Sequence, residues 1–251
     1  MKKQISLIIG GIILMSSLAG CETKSKAEIE QSFENILAMY PTKNLTDFYD
    51  MEGFRDSGFA EDDKGVWVLD SDMAISKETD DPLVSEGMNL RINRNTGKAK
   101  GFYYISSIPA DTMLATDEIQ YPITYDEAGF HLVEELEDSA LKAKIENFQF
   151  FVQYATFKDL SKNQGIRANY NEEVPMYELE YQLSNEDQNV KALRQRYEIT
   201  PKAAPTLVLS GMGNLEGSSV GYKTMTIQFT KNPPVFYSDS IDYQPATLED
   251  N

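Results

Sequence analysis

Ser139-Ala140-Leu141-Lys142 has the Ser-x-x-Lys spacing of serine acyl-enzymes, in which a lysine amine serves a serine nucleophile. The Ser-Asp-Asn and Lys-Thr-Gly segments that complete such a site do not occur, so Ser139 reads as a helix start. His131 is the only histidine. General acid or base work would need a nucleophile or carboxylate beside it. Between Phe130 and Leu132 on a short strand, it reads instead as a surface or hydrogen-bonded structural residue. Gly211-Met212-Gly213-Asn214-Leu215-Glu216-Gly217 invites comparison with a dinucleotide loop. Its third glycine comes one place late, and the segment leads into a strand rather than a helix. Acids crowd Glu61, Asp62, Asp63, Asp70, Asp72, Asp80 and Asp81. A calcium loop places oxygen ligands at alternate positions around a glycine, and Asp70-Ser71-Asp72 supplies only a fragment of that pattern. These acids read as a solvated face. Carboxylate pairs for glycoside hydrolysis leave no spacing to read, and among 40 Asp and Glu their presence decides nothing. No catalytic residue, metal ligand or cofactor is assigned.

The strongest chemical signal lies at the N-terminus. Lys2 and Lys3 precede an apolar run from Ile5 to Leu18, too short for a membrane span, which takes about 20 residues. The proportions are those of a cleaved signal peptide. The run ends in Leu18-Ala19-Gly20-Cys21, which resembles the bacterial lipobox. In that motif the cysteine thiol receives a diacylglyceryl group, and small residues before it let the peptidase reach the bond. Cys21 is the only cysteine of the 251-residue chain, so a disulfide framework and a thiolate zinc site are excluded. Two acyl chains at about 0.8 kcal/mol per buried CH₂ give stable anchoring. The formal net charge of −17 argues against nucleic acid, whose binding needs cations to neutralise phosphates. An anionic leaflet repels such a domain, so it should not lie flat on the membrane.

The remaining elements follow from periodicity. Ile29, Phe33, Ile36, Leu37 and Tyr40 share one face of a helix from about 26 to 40, ended by Pro41. Val66 to Leu69 reads as a strand. Met88, Leu90 and Ile92 alternate with polar residues, Arg94-Asn95-Thr96-Gly97 is a turn, and residues 98–105 return as the partner strand. Short strands are expected near 119–125 and 129–133, and a second helix from about Ser139 to Tyr154. Tyr177 to Leu183 alternates with acids, and Ser184 with Asp187 suggests a cap for a short helix carrying Val190 and Leu193. Leu207 to Leu209 and Met225 to Phe229 supply later strands, with a glycine-rich turn between them. The order predicts an α+β fold, amphipathic helices packed on antiparallel β-sheet, compatible with two degenerate repeats. The expected organisation is a signal peptide over 1–20, a lipidated N-terminus and short tether over 21–26, an α+β domain over 27–230, and a loose C-terminal tail over 231–251.

Several segments together resemble the staphylococcal tandem lipoproteins, also called the conserved staphylococcal antigen family. They include Met39-Tyr40-Pro41, Glu52-Gly53-Phe54-Arg55-Asp56 and Lys64-Gly65-Val66-Trp67. Farther on come Ile92-Asn93-Arg94-Asn95-Thr96-Gly97-Lys98-Ala99, Lys144-Ile145-Glu146-Asn147-Phe148-Gln149-Phe150-Phe151, Phe157-Lys158-Asp159-Leu160 and Gly217-Ser218-Ser219-Val220-Gly221-Tyr222-Lys223. The resemblance runs from about Glu30 to Phe229. It implies a non-enzymatic lipoprotein on the outer face of a Gram-positive cell membrane, linked to innate immune stimulation through the lipidated end and to host cell entry. Cys21 is the one functional residue that transfers. The expected partners are therefore the membrane, through the lipid on Cys21, and host receptors or host surface proteins. Nucleic acid and a small-molecule ligand are not expected. Two other readings stay open: a solute-binding lipoprotein of a transporter, and a cell-wall enzyme using carboxylates.

Overall fold

The computed structural model describes residues 24–111, 117–158, 160–171, 173–217 and 223–250. The lipobox residues Leu18, Ala19 and Gly20, and Cys21 with them, lie outside the described residues. Helix α1 (Lys26–Leu37) starts almost at once, because Ser25 and Glu28 form a reciprocal cap. The Ser25 hydroxyl accepts the Glu28 N–H at 3.3 Å, and the Glu28 carboxylate accepts the Ser25 N–H at 2.7 Å. Ile29 and Phe33 form the buried stripe of this helix.

Ten strands make one antiparallel sheet among the described residues. They are β1 (Val66–Ile75), β2 (Leu83–Asn93), β3 (Lys98–Ile108), β4 (Asp117–Asp126), β5 (Gly129–Leu132), β6 (Gln164–Asn171), β7 (Met176–Gln182), β8 (Thr206–Met212), β9 (Lys223–Lys231) and β10 (Pro234–Gln244). The order across the sheet is β5-β4-β3-β2-β1-β10-β9-β8-β7-β6. The first five strands meander outward from the centre to one edge, and the last five meander inward from the other edge. The β1–β10 pairing, from Val66↔Gln244 to Ile75↔Val235, joins the two. Helices α2 (Ser139–Glu146) and α3 (Gln188–Arg196) complete the chain. The fold is α+β as the sequence predicts, with the sheet as its larger part.

The β2–β3 hairpin forms where it is expected. The Asn93 side chain accepts the N–H groups of Asn95 and Thr96 at 2.8 and 3.2 Å, and Gly97 takes the left-handed conformation at φ 66°. Three expectations are corrected. Residues 231–251 are not a loose tail: β10 is a central strand, with Val235, Tyr237, Ile241 and Tyr243 buried. Burial of those alternate side chains, the long ladder to β1 and a shorter one to β9 over Pro234 to Ser240 hold it there. The second helix stops at Glu146 rather than Tyr154, because the Asn147 side chain turns back to the Ala143 carbonyl at 2.7 Å. Phe150, Phe151 and Val152 then enter the core from irregular and 3₁₀ backbone. The short helix α3 is capped by Asp187, which accepts from Asn189 and Val190 N–H, not by Ser184.

The sheet has two unlike faces. Trp67, Leu69 and Met73 of β1, with Tyr237, Ile241 and Tyr243 of β10, join the main core under α1 and the 145–157 segment. Alternation turns Asp70, Asp72 and Asp242 to the other face, beside Asn89 and Tyr104. The C-terminal turn crosses part of that second face, where Asp250 takes a two-pronged bond from Arg91 at 2.5 and 3.0 Å.

Candidate functional site

The residues singled out in the sequence do not converge. His131 is exposed on β5, with Nε2 3.0 Å from the Asp126 carboxylate, so it is a surface residue with a local partner. Ser139 opens α2 behind Asp138, whose carboxylate accepts the N–H of Ala140 and Leu141 at 3.0 and 3.1 Å. Lys142 pairs along the helix with Glu146 at 3.8 Å. Gly211 is the inner part of β8, while Gly213 and Gly217 take positive φ in the turn beyond it. The acids of 61–81 separate into a turn before β1, the second face of β1 and the β1–β2 turn. Among the described residues no group of three His, Cys, Asp or Glu is arranged to hold a metal ion.

Asp63 in that first turn has a structural task. Partial burial works against its charge, but hydrogen bonds from Asn95, Gly65 and Ala246 outweigh it and hold the carboxyl below its ordinary value. It ties the approach to β1, the β2–β3 turn and the segment after β10 together.

The most deeply placed acid is Asp239, in the core between β1 and β10. It accepts hydrogen bonds from the Tyr40 and Ser71 hydroxyls. The Ser71 oxygen in turn accepts the Phe151 N–H at 3.3 Å. Burial pushes the Asp239 carboxyl well above its ordinary value, the two hydroxyls work against that, and Asp70 and Asp72 add to it. Both carboxylate oxygens are used inside the core. This network fastens the end of the α1 segment, the two central strands and the 150–157 segment to one point.

The cavity with the strongest binding chemistry lies elsewhere on the same face. Between α1, the loop after the 3₁₀ turn Leu45–Tyr49, and the ends of the central strands is a space of about 570 Å³. That is within the roughly 300–1,000 Å³ of ligand pockets. Ile36, Met39, Met51, Phe54, Trp67 and Tyr243 give it an apolar wall. Trp67 is held in place by its Nε1–H, which donates to the Met51 carbonyl at 3.1 Å, and by the Phe48 ring at 5.4 Å. Tyr243 can lie against the loop only because Gly53 and Gly65 are glycines: a Cβ at either would come within 2.5 or 2.6 Å of its ring.

Two polar groups stand at the other side of this cavity. Tyr177 of β7 packs edge-on to Phe33 at 5.7 Å and lies over Gly211, where a Cβ would meet its ring at 2.5 Å. Its Oη is buried and has no hydrogen-bond partner among the described residues. Ser32 lies close enough to work against the upward push of burial on this phenol, and its own hydroxyl donates to the Ile29 carbonyl at 2.6 Å. Burial raises the Tyr177 phenol to about 12. Lys223, opposite Gly211 on β9, donates to the Ser32 carbonyl and to the Leu215 carbonyl at 3.4 Å, and its ammonium stands 5.7 Å from the Phe33 ring. Burial holds the Lys223 amine below its ordinary value. Sequence reasoning missed all three of Trp67, Tyr177 and Lys223 as site residues. Each reads as ordinary strand material, and only the placing of α1 over the strand ends brings them together.

The fold joined to a short, capped start at Ser25 defines a sheet domain whose described part begins three residues after Cys21. The comparisons with known proteins give that class its family. The Csa1 family model matches residues 25–246. An uncharacterized lipoprotein from the plc 3′ region of Staphylococcus aureus is 45% identical over 254 residues, covering 98% of this chain and 99% of its own length. A lipoprotein of S. aureus strain COL, also uncharacterized, is 44% identical over 254 residues, with 98% and 99% covered. The chain belongs to the Csa1 family of staphylococcal lipoproteins and is a lipid-anchored membrane surface protein. Among the described residues no helix is long and apolar enough to cross a membrane.

Proposed function

We propose that the protein is a non-enzymatic surface lipoprotein, anchored through a diacylglyceryl thioether at Cys21 after removal of residues 1–20, that acts in contact with the host. The observation that carries this is the position of α1. Its Ser25–Glu28 cap fixes folded structure four residues beyond Cys21, at most about 14 Å of extended chain. So short a tether serves a domain meant to sit at the bilayer and to present the lipopeptide beginning Cys21-Glu22-Thr23-Lys24. The deepest carboxyl, Asp239, is consumed by two hydroxyls in the core, which supports a structural use of the central acids over a catalytic one.

The two meanders support a reading as degenerate repeats. Each follows a helix, and β1 to β5 and β6 to β10 run across the sheet in the same direction, although with every ladder antiparallel β6 points opposite to β1.

Intact-mass analysis of membrane-extracted protein, paired with host-receptor signalling by wild type and Cys21→Ala, tests the anchor. A diacyl or triacyl mass with signalling lost in the variant is the expected result. An unmodified mature mass overturns the anchor, and undiminished signalling by Cys21→Ala overturns the role given to the lipopeptide.

A further inference from the structure

The cavity between α1 and the strand ends is built in a way that selects a ligand. Its lining includes the indole of Trp67, the unpartnered hydroxyl of Tyr177 and the ammonium of Lys223, together with the acidic residues Glu52, Glu216 and Asp242. A lysine has three N–H donors, and two are taken by the Ser32 and Leu215 carbonyls among the described residues. A buried phenol without a partner costs about 1–3 kcal/mol relative to a satisfied one; the Tyr154 and Tyr237 hydroxyls share that state in the core, but only Tyr177 lines the cavity, where an acceptor can relieve it. Tyr177 and Lys223 can both donate, and both sit in low dielectric, where a hydrogen bond to a charged acceptor is strongest. A largely apolar chamber lined by two donors, on the strands either side of Gly211, is complementary to a chain-like apolar molecule headed by acceptor oxygens. A second trough of about 470 Å³ shares Asn35, Asn214 and Glu216 with the cavity and runs back along α1 to Lys24. One end of this path therefore opens at the membrane-proximal end of the domain.

We propose that this cavity binds a long-chain acyl carboxylate, its tail between α1 and the sheet against Trp67, Met39 and Met51, and its carboxylate oxygens accepting hydrogen bonds from Tyr177 Oη and Lys223 Nζ. The ligand is taken from the surroundings rather than from the protein's own anchor. The site is independent of how Cys21 is modified, so its test stands apart from that of the anchor.

Trp67 is the only tryptophan, so its emission reads the cavity directly. Hexadecanoate, hexadecanol and hexadecylammonium are titrated into the full-length Cys21→Ala chain in buffer, and into the lipidated protein in phosphatidylcholine nanodiscs. Hexadecanoate should shift Trp67 emission saturably in both forms and bind at least tenfold more tightly than the other two. Tyr177→Phe and Lys223→Met should each weaken it about tenfold. Tyr177→Phe keeps the ring packing, and its thermal midpoint should stay level or rise because an unpaired hydroxyl is removed. Several results would overturn the proposal: no shift of Trp67, equal binding of hexadecanol, or an unchanged affinity in Tyr177→Phe. Preference for hexadecylammonium would assign the site to the rim acids Glu52 and Glu216 instead. Binding to Cys21→Ala but not to the lipidated protein would mean that the anchor's own acyl chain already fills the cavity.

Discussion

Asp239 and Asp242 stand three residues apart on β10 and face opposite sides of the sheet, and the molecule treats them in opposite ways. Asp239 lies in the core under the aromatic side chains of Tyr40 and Phe151, and fixed hydroxyls take both of its oxygens. Asp242 lies on the second face near Asp70, where the Lys223 backbone N–H supports its charge. Burial pushes both carboxyls up, but only the first is woven into the packing. The contrast separates two uses of a buried acid. Inside, the carboxylate sets the register of four segments and is costly to remove. On the second face, acids leave that side of the sheet polar and are costly to keep charged.

The largest expected effect tests the inner acid. Asp239→Ala leaves the Tyr40 and Ser71 hydroxyls unpaired and opens a small void, and should destabilise the domain by about 3 kcal/mol in urea unfolding. Asp242→Ala should cost less than about 1 kcal/mol at neutral pH, or stabilise. Equal losses at the two positions would remove the distinction between the faces.

The next effect is on pH. Asp72 and Asp242 are each pushed up to about 7, by burial first; Asp70 adds to this at both, while the Lys223 N–H opposes it at Asp242. Their folded values lie above the unfolded value of 3.8, so the folded state binds more protons. That contribution to stability is fully present below about pH 4 and is lost as pH rises through about 7. Asp250 runs the other way. Partial burial opposes its charge, but Arg91 and Thr247 outweigh it and hold the carboxyl at about 2. Its contribution is present above about pH 4 and lost as pH falls toward 2. The thermal midpoint should therefore peak in mildly acid buffer and decline by pH 8, and Asp72→Asn should flatten that decline. A midpoint higher at pH 8 than at pH 5 would show that the second-face acids are solvated like any surface carboxylate.

Much of the sheet is legible in the sequence, and where it is not the reasons are local. The Met88 to Ile105 hairpin announces itself by period-two alternation and by Asn95-Thr96-Gly97. β10 has the same alternation from Val235 to Tyr243, but Pro233-Pro234 before it signals the end of structure. A proline is tolerated as the first residue of a strand, which is where Pro234 sits. β6 is a mostly exposed edge strand in which Ile166, Ala168 and Tyr170 alternate with Arg167, Asn169 and Asn171, a weak pattern because an edge with one ladder needs little apolar face. The Phe148 to Val152 run mimics a helical stripe because an aromatic segment sunk into a core is apolar all round. The cavity is least legible of all. Its residues come from a helix, two loops and five strands, and no spacing along the chain relates Trp67 to Tyr177 or Lys223.

The remaining predictions concern ion pairs on the second face, where cover should decide strength. Arg91 meets Asp250 under the C-terminal turn, the Asp250 side chain is 1% exposed, and the Asn93 side chain donates to the Asp250 carbonyl at 2.9 Å. Arg91→Met leaves a nearly buried carboxylate uncompensated and should cost about 2 kcal/mol, with early loosening of the turn seen as faster amide exchange after Gln244. Arg167 on edge strand β6 reaches Glu178 and Glu180 of β7, but its side chain is 58% exposed. Water already solvates that guanidinium, and holding the long side chain in place offsets most of the attraction, so Arg167→Met should change stability by less than about 0.5 kcal/mol. Added salt should erase even that difference while leaving the Arg91→Met loss in place. If the two substitutions cost the same, the C-terminal turn shields nothing, and the second face is one uniform solvated surface from β6 to β5.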